Sequence, residues 1–275
     1  MNLKRTFLGY QGGWALVTGA SSGIGAEFCH QLASQKINII LVARRENLLK
    51  NLANKLTMIH AVDCIVVPCD LSLQHAASNL KKTIESQNIK IQILVNNAGY
   101  GPWGHFERLQ VGEHERVIQL LLNTPVELIR CFLDHLLSYK DSVVINVSSQ
   151  AALQPIPYLA VYSAAKVGLQ HLSLALYEEF RHRGLYFQTL IPAPTKTEFD
   201  KLGEAYPCKI SNHRDLPQKI VSLSLQAIYK KKPVVSSVSF FELAFQRFFN
   251  GVFPFAFIVK KIGQVFLPPT NNLLK

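Results

Sequence analysis

Short apolar runs alternate with longer segments of helical periodicity along most of this chain. The run at Ile37–Ala43 is typical of a buried strand, whereas Glu46–Met58 carries its leucines at the spacing of one helix face. Such alternation favours βαβ units, which build a parallel sheet with helices on both faces. We predict strands at Trp14–Thr18, Ile37–Ala43, Cys64–Pro68, Ile91–Val95, Val143–Val147, Leu185–Ile191 and Val234–Val235.

The segments between these strands predict the helices. No internal repeat or low-complexity linker interrupts the alternation, so we expect residues 1–275 to form one α/β domain with a doubly wound parallel sheet and a core at 13–236. A nucleotide is expected where the strand order of such a sheet reverses. The predicted helices are Gly23–Gln35, Glu46–Met58, Ser72–Ser86, Val111–Leu137, Val161–Arg181 and Asp215–Tyr229.

Residues 237–275 form a hydrophobic C-terminal extension of different character. Its uncharged stretch, Phe248–Val259, is shorter than the roughly 20 apolar residues of a membrane span, and Gly251 and Pro254 interrupt a single helix. We therefore expect no transmembrane anchor. Three roles stay open for residues 240–266: packing on the core, a lid over an apolar substrate, or peripheral contact with a membrane surface. Eight phenylalanines mark the segment: Phe240, Phe241, Phe245, Phe248, Phe249, Phe253, Phe255 and Phe257.

The formal net charge of +11 calls for an explanation, because basic residues attract anionic partners. They are spread along the chain, with one run at Lys230–Lys232 and no interleaving with aromatic residues, so we expect no nucleic-acid partner. An anionic cofactor, an anionic membrane surface or an acyl-carrier partner stay open, as does a solvated basic surface.

Compartment and metal chemistry follow from what the sequence lacks. The five cysteines form no C-x-x-C pair, the nine histidines form no H-E-x-x-H motif, and no basic cap precedes an apolar leader. We therefore expect reduced thiols, no metal site, and a cytoplasmic protein that is free or held peripherally at a membrane surface.

A glycine-rich loop, T-G-A-S-S-G-I-G, follows the first predicted strand and opens the first helix. Glycines at these positions let the backbone turn sharply and approach a pyrophosphate, which binds the amides of the helix N-terminus. The serines add hydroxyl donors. The loop predicts dinucleotide binding by Gly19, Ser21, Ser22, Gly23, Ile24 and Gly25.

The end of the second strand distinguishes between the two nicotinamide cofactors. An acidic residue about 20 positions past the glycines binds the ribose 2′-hydroxyl of NAD. This chain has Arg44 there, followed by Arg45. A guanidinium pairs well with a 2′-phosphate, so we predict NADP as the cofactor, bound by Arg44. Solvation of both arginines at the strand end is the alternative.

Polar and small residues end the next two strands. Asp70 and Leu71 are expected to flank the adenine, and Asn97, Ala98 and Gly99 allow close approach to the cofactor. An asparagine at this place can also tie neighbouring strands together. Each of these residues, taken singly, is equally typical of a turn.

Tyr162 and Lys166 stand four residues apart on a predicted helix and therefore share one face. A phenol has a pKa of about 10, too high for efficient proton exchange near neutral pH. A lysine cation about 4 Å away is worth roughly 4 kcal/mol, enough to lower that pKa by about two to three units. Ser149, at the end of the fifth strand, is expected to hydrogen-bond a carbonyl oxygen. The set predicts hydride transfer between a nicotinamide cofactor and a carbonyl or alcohol.

Asn123 stands inside a predicted helix, in L-L-L-N-T-P. Asparagine is a poor residue for a helix interior, and Pro125 removes a backbone hydrogen bond. A helix disturbed here frees a carbonyl that can hold a water on the way to Lys166. We therefore interpret Asn123 as part of a proton relay, with a simple helix break as the alternative.

Taken together, these motifs resemble the short-chain dehydrogenase/reductase family over roughly residues 13–200. The resemblance implies a Rossmann-type sheet, usually of seven strands, a catalytic set of Asn123, Ser149, Tyr162 and Lys166, and homodimers or homotetramers. It also implies that Tyr162 and Lys166 contact the cofactor and that the P-A-P-T-K-T run contacts the nicotinamide carboxamide through Pro192, Thr195 and Thr197. One departure is Ala193, where the family usually has glycine.

The function expected from the sequence is NADP-dependent reduction of a carbonyl group on an apolar substrate of the ketoacyl, steroid or lipid-like class. An NAD-dependent alcohol dehydrogenase is the alternative within the same chemistry. A non-catalytic NADP-binding regulator is the alternative from a different class, although such a protein has no need to keep the full catalytic set.

Overall fold

The computed structural model describes residues 7–199, 214–239, 244, 248 and 251–268. Its centre is a seven-stranded sheet with the order β3-β2-β1-β4-β5-β6-β7, in which every neighbouring pair is parallel. The strands are β1 Trp14–Thr18, β2 Asn38–Ala43, β3 Cys64–Pro68, β4 Ile91–Asn96, β5 Ser142–Val147, β6 Leu185–Ile191 and β7 Val234–Ser236.

Helices cover both faces of the sheet, as the alternation of elements predicts. One face carries α1, α2 and α7, the other carries α3, α5 and α6, and α4 packs on α6. Side chains alternate along each strand, so that Ala15 and Val17 enter the first core layer and Leu16 enters the second. The helices are α1 Gly23–Ser34, α2 Glu46–His60, α3 Ala76–Glu85, α4 Val111–Ile118, α5 Thr124–Leu137, α6 Ala160–Phe180, α7 Pro217–Ile228 and α8 Phe255–Phe266.

The predicted fold class is confirmed, and the element boundaries differ at two informative places. The helix expected from residue 72 begins at Ala76 because Asp70 first makes a tight turn, accepting hydrogen bonds from the backbone and the hydroxyl of Ser72. The long helix expected at Val111–Leu137 contains a π-helical turn at Gln119–Asn123. A π turn inside an α-helix often marks a functional site.

The strand order places the carboxyl ends of strands β1 to β6 around one crevice. β1 pairs with β2 on one side and with β4 on the other, so the chain reverses its direction of travel across the sheet at this point. A crevice forms at such a reversal because the loops that follow neighbouring strands lead to opposite faces. Most of the residues with predicted functions follow one of these six strands, including Arg44 after β2 and Asp70 after β3.

The hydrophobic extension is described only in part, because residues 240–243, 245–247, 249–250 and 269–275 lie outside the described residues. Helix α8 begins immediately after Pro254, in agreement with the predicted interruption. Within the described residues, no helix combines the length and the apolar character that crossing a membrane requires.

Candidate active site

A cavity of about 440 Å³ opens over the carboxyl ends of the strands. This size falls in the usual range for small-molecule sites. Two of the predicted site residues, Gly25 and Asn123, do not line it. The others all do: Gly19, Ser21, Ser22, Gly23, Ile24, Arg44, Asp70, Leu71, Asn97, Ala98, Gly99, Ser149, Tyr162, Lys166, Pro192, Thr195 and Thr197.

The glycine-rich loop needs its glycines for two different reasons. Gly19 and Gly23 have φ values of +66° and +57°, a conformation in which a Cβ is strained. Gly25 lies in the first turn of α1, where an added Cβ would stand 2.2 Å from the carbonyl oxygen of Gly19. Gly25 therefore permits close packing of the helix on the loop and has no direct place in the cavity. The first amides of an α-helix have no carbonyl partner within the helix, so those of α1 can bind an anion.

Asn97 fixes the position of the loop that follows β4. Its Nδ2 donates to the carbonyl of Thr18 at 2.9 Å, and the Thr18 hydroxyl accepts hydrogen bonds from the amides of Asn97 and Ala98 at 2.9 and 3.0 Å. Because Thr18 ends β1, these bonds join the carboxyl ends of two neighbouring strands. This is the tie between strands that the sequence predicts for an asparagine at this place.

Arginines dominate the charge of the cavity wall. Arg45 is held across the glycine-rich loop: its Nη2 donates to the hydroxyls of Ser21 and Ser22 at 2.9 and 2.8 Å, and its Nη1 pairs with Glu198 at 2.9 Å. Arg44 is exposed at the same strand end. Arg116 and Arg214 also line the cavity, and Asp70 is the only carboxylate that lines it within the part of the chain described.

Arg116 was missed by the sequence analysis. It lies on α4, far from any recognised motif, and only the topology brings it beside Asp70. Burial acts to raise the pKa of Asp70, but hydrogen bonds from Ser72 and the charges of Arg44 and Arg116 outweigh it and lower the pKa below its ordinary value. Asp70 is therefore a carboxylate at neutral pH.

Tyr162 and Lys166 share one face of α6 and are both buried, as their spacing predicts. Their electrostatics differ from the prediction. Burial raises the pKa of Tyr162 to about 12, although a hydrogen bond with the Ser149 side chain acts to lower it. Lys166 Nζ stands 5.8 Å from the centroid of the tyrosine ring. Desolvation thus outweighs the hydrogen bond with Ser149, and the raised pKa leaves the phenol neutral at neutral pH.

Burial also disfavours the charged form of Lys166. Desolvation lowers its pKa from the ordinary 10.5 to about 8. Its Nζ donates one hydrogen bond, at 2.8 Å, to the carbonyl of Val147 at the end of β5. The hydroxyl of Ser148 donates to the carbonyl of Lys166 at 3.1 Å. The end of β5 therefore fixes both the backbone and the side chain of Lys166.

Ser149 directly follows β5 and begins a short 3₁₀ turn at Gln150–Leu153. Its hydroxyl accepts a hydrogen bond from the amide of Ala151 at 3.1 Å, and it interacts with Tyr162. The accepted bond orients the hydroxyl so that its proton is available for a second partner. The structure thus brings three of the four predicted catalytic residues together.

Asn123, the fourth predicted catalytic residue, does not line the cavity, so its assignment to the catalytic set was wrong. The predicted disturbance of the helix is present, but the Asn123 side chain is exposed and donates to Gln119 Oε1 at 3.1 Å. Leu121, which is 1% exposed, lies near Lys166 instead. Both side chains border Gly99: a Cβ added at Gly99 would lie 2.7 Å from Leu121 Cδ2 and 3.7 Å from Lys166 Nζ. Two positions along a helix rotate a side chain by roughly 200°, so Leu121 and Asn123 face opposite sides.

The P-A-P-T-K-T run forms the wall opposite the glycine-rich loop. Thr195 Oγ1 donates to the carbonyl of Ala193 at 2.7 Å, and the amide of Ala193 donates to the Ser237 hydroxyl at 2.8 Å. Ala193 does not have a positive φ, so alanine is tolerated where the family usually has glycine. Gly23 permits close approach of this wall, because its added Cβ would lie 3.0 Å from the Thr197 methyl group.

The end of the cavity near Tyr162 is apolar. Phe199 lies 5.9 Å from the Tyr162 ring, and Ile156 and Phe266 complete this part of the wall. Phe266 belongs to α8, whose last turn is held by a hydrogen bond of 2.9 Å from the Trp103 indole to the Phe266 carbonyl. The C-terminal helix therefore contributes to the cavity, a placement that no motif in the sequence indicates.

The family profile described as short chain dehydrogenase matches residues 13–205. The chain belongs to the short-chain dehydrogenase family. This family of oxidoreductases acts on hydroxyl and carbonyl groups, in agreement with the resemblance seen in the motifs.

Two curated relatives and one solved structure show how this short-chain dehydrogenase compares with others. It is 31% identical to 17-beta-hydroxysteroid dehydrogenase type 3 of Mus musculus, over 72% of this chain and 65% of that protein. It is 28% identical to very-long-chain 3-oxoacyl-CoA reductase of Rattus norvegicus, over 78% of this chain and 70% of that protein. A metagenomic short-chain oxidoreductase solved with NADP has a TM-score of 0.69 and 25% identity, over 84% of this chain and 98% of that one.

Proposed function

We propose that this short-chain dehydrogenase uses NADPH to reduce a carbonyl group on a bulky apolar substrate. The observation that carries the proposal is the arrangement of Ser149, Tyr162 and Lys166 at one end of a cavity whose other end is bordered by the glycine-rich loop and arginines. The experiment is a panel of carbonyl compounds with NADPH and with NADH, followed by the absorbance of the reduced nicotinamide.

The residues present fit a phosphorylated dinucleotide. The amides at the start of α1 suit a pyrophosphate, and the serine hydroxyls with Arg44 and Arg45 suit a further phosphate. The arginine-rich wall favours an anionic ligand of high charge. NADPH, when bound, supplies the hydride. The solved relative at 25% identity that holds NADP supports this choice of cofactor.

The chemical step needs a proton for the oxygen that accepts the hydride. Tyr162 supplies this proton, because its raised pKa keeps the phenol neutral and able to donate. Ser149 polarises the carbonyl by donating its own hydroxyl proton in a hydrogen bond to the same oxygen. Lys166 stabilises the phenolate that remains, because the attraction between the two charges is stronger in the buried site than in water. Leu121 closes the helix side of Lys166, so we expect the phenol to regain its proton through the cavity.

The first prediction concerns cofactor choice. Replacing Arg44 by Asp is expected to weaken NADPH binding and to narrow or reverse the preference over NADH, because a carboxylate repels the 2′-phosphate. A hydrogen bond to a charged group is worth about 1.5–3 kcal/mol, so the Kd for NADPH should rise by roughly 10-fold to 150-fold. Fluorescence titration of both cofactors measures the change.

The matched control for this prediction is Arg130→Asp, which makes the same charge change at an exposed position of α5 that does not line the cavity. It should leave the ratio of the two affinities unchanged. Equal affinity of the unmodified protein for NADPH and NADH would contradict the assignment of NADP.

The second prediction concerns substrate size. Phe266 is 8% exposed and lines the apolar end of the cavity, so Phe266→Ala should remove contact area that only a large substrate uses. We expect the KM for bulky apolar ketones to rise about 10-fold or more, at roughly 1.5–3 kcal/mol for a lost apolar side chain, with little change for small ketones.

Val265→Ala is the control for this experiment, because Val265 is the neighbouring residue, is 38% exposed and does not line the cavity. A rise in KM that is equal for large and small ketones in the Phe266 variant would assign α8 a packing role only. The similarity to relatives named for steroid and very-long-chain acyl chemistry supports a substrate of the larger class.

A further inference from the structure

Helix α8 and the residues before it present two faces with different surroundings. Ile258 and Phe266 are 2% and 8% exposed, and Ile262 packs against the same cluster as Trp103 and Tyr162. These three residues of α8 are spaced four apart, so they form one stripe on the helix. The inner face of α8 is therefore already packed against the residues around the active site.

The outer face keeps large apolar side chains in solvent. Phe253 and Phe257 are 39% and 41% exposed and stack on each other with ring centroids 5.6 Å apart. Val252 and Leu267, at the two ends of this region, are 58% and 51% exposed. Phe253 and Phe257 therefore form one exposed apolar group, and such a group marks an interaction surface more often than scattered single residues do.

Basic residues accompany these apolar side chains. Lys260 and Lys261 are exposed on the outer face, and Lys261 Nζ lies 5.7 Å from the centroid of the Phe257 ring. The sequence from 243 to 275 contains four basic residues and no acidic residue. Among the described residues 251–268, exposed apolar side chains are therefore accompanied by two lysines and by no acidic residue.

We propose that the outer face of α8 together with the residues that flank the helix, a surface made up of Val252, Phe253, Phe257, Lys260, Lys261 and Leu267, docks on an anionic lipid bilayer. An interfacial helix buries its apolar residues at the boundary between headgroups and acyl chains, while lysines contact anionic headgroups. A second copy of the chain is a poorer occupant, because a two-fold contact through this face brings the same lysines together. The helix is too short to span the bilayer, so the contact is peripheral.

Docking in this orientation places the catalytic cavity at the membrane surface. Phe266 ends α8 and lines the apolar end of the cavity, so the same helix faces the bilayer with one side and the substrate site with the other. A substrate dissolved in the bilayer then reaches the site without crossing water. This consequence rests on the proposed function, whereas the docking itself does not.

The test is cosedimentation of the full-length protein with vesicles, without substrate or cofactor. Vesicles of phosphatidylcholine mixed with phosphatidylserine should bind the protein, and pure phosphatidylcholine should bind it far less. The change Lys260→Glu with Lys261→Glu should lower the partition coefficient by roughly 30-fold or more, since each lysine near an anionic surface is worth about 1 kcal/mol. High salt should weaken the binding of the unmodified protein.

Apolar variants and matched controls complete the experiment. Phe253→Ser with Phe257→Ser should also abolish binding, whereas Met58→Ser with Ile59→Ser, which changes two exposed apolar residues of α2, should not. Circular dichroism establishes that each variant is folded. Absence of binding by the unmodified protein, equal binding to both vesicle types, or binding that survives both α8 variants overturns the proposal. A shift from dimer to monomer in the phenylalanine variant, without vesicle binding by the parent, assigns the face to self-association instead.

Discussion

Tyr162→Phe is expected to reduce the turnover of carbonyl reduction by about 10²-fold to 10⁴-fold, the usual contribution of a positioned general acid. The change removes only the hydroxyl. The ring, which is 8% exposed and packs against Phe199 and Gly101, keeps its contacts. NADPH affinity and thermal stability should therefore stay close to those of the parent. Single-turnover absorbance measurements give the rate, and fluorescence titration gives the Kd.

Tyr158→Phe is the control for this prediction. Tyr158 lies four residues before Tyr162, is half-buried and does not line the main cavity, so its loss of a hydroxyl should leave turnover unchanged. Substantial turnover in Tyr162→Phe would identify a different proton donor. A protein that serves as a cofactor-binding regulator shows no turnover in the parent and loses nothing in the variant, which separates that function from the proposed one.

The sequence was sufficient for the fold because the fold depends on patterns that are local. Strand runs such as Trp14–Thr18 and Leu185–Ile191 are bounded as predicted, since buried parallel strands are continuous apolar runs. The glycine-rich loop, Asn97 and the pair on α6 were found for the same reason: each motif specifies its own local geometry. The topology then brings these motifs to one edge of the sheet.

The misplaced residues are those whose role depends on direction or on distant neighbours. Asn123 was chosen for its chemistry and its proximity to Pro125, but the register of the π turn directs Leu121 inward and Asn123 outward. Arg116 and Phe266 reach the cavity from elements that carry no motif. The pKa of Tyr162 was misjudged because a charge can be counted from the sequence and burial cannot.

The buried charge at Lys166 should make the site a source of instability. Its pKa is about 8 in the folded protein and about 10.5 in the unfolded chain, so below pH 8 both states carry the proton and the folded state bears the desolvation cost. At 1.36 kcal/mol per unit, that cost is about 3 kcal/mol. As the pH rises from 8 to 10.5, the folded lysine releases its proton first and the cost disappears. The contribution of Lys166 to stability therefore becomes more favourable over this range.

Lys166→Met removes the charge while filling the same space, so it should stabilise the protein at pH 7 even though it abolishes turnover. Removing the desolvation cost raises the free energy of unfolding, and losing the hydrogen bond to the Val147 carbonyl lowers it by about 1 kcal/mol. The net gain in the free energy of unfolding is about 2 kcal/mol. The gain should shrink through pH 8 to 10.5, as urea denaturation at several pH values can measure. Lys55→Met, at an exposed position of α2, should show no such trend. A Lys166 variant that is less stable than the parent at pH 7, with no dependence on pH, would show that the lysine is stabilised by its surroundings and is not held there at a cost for catalysis.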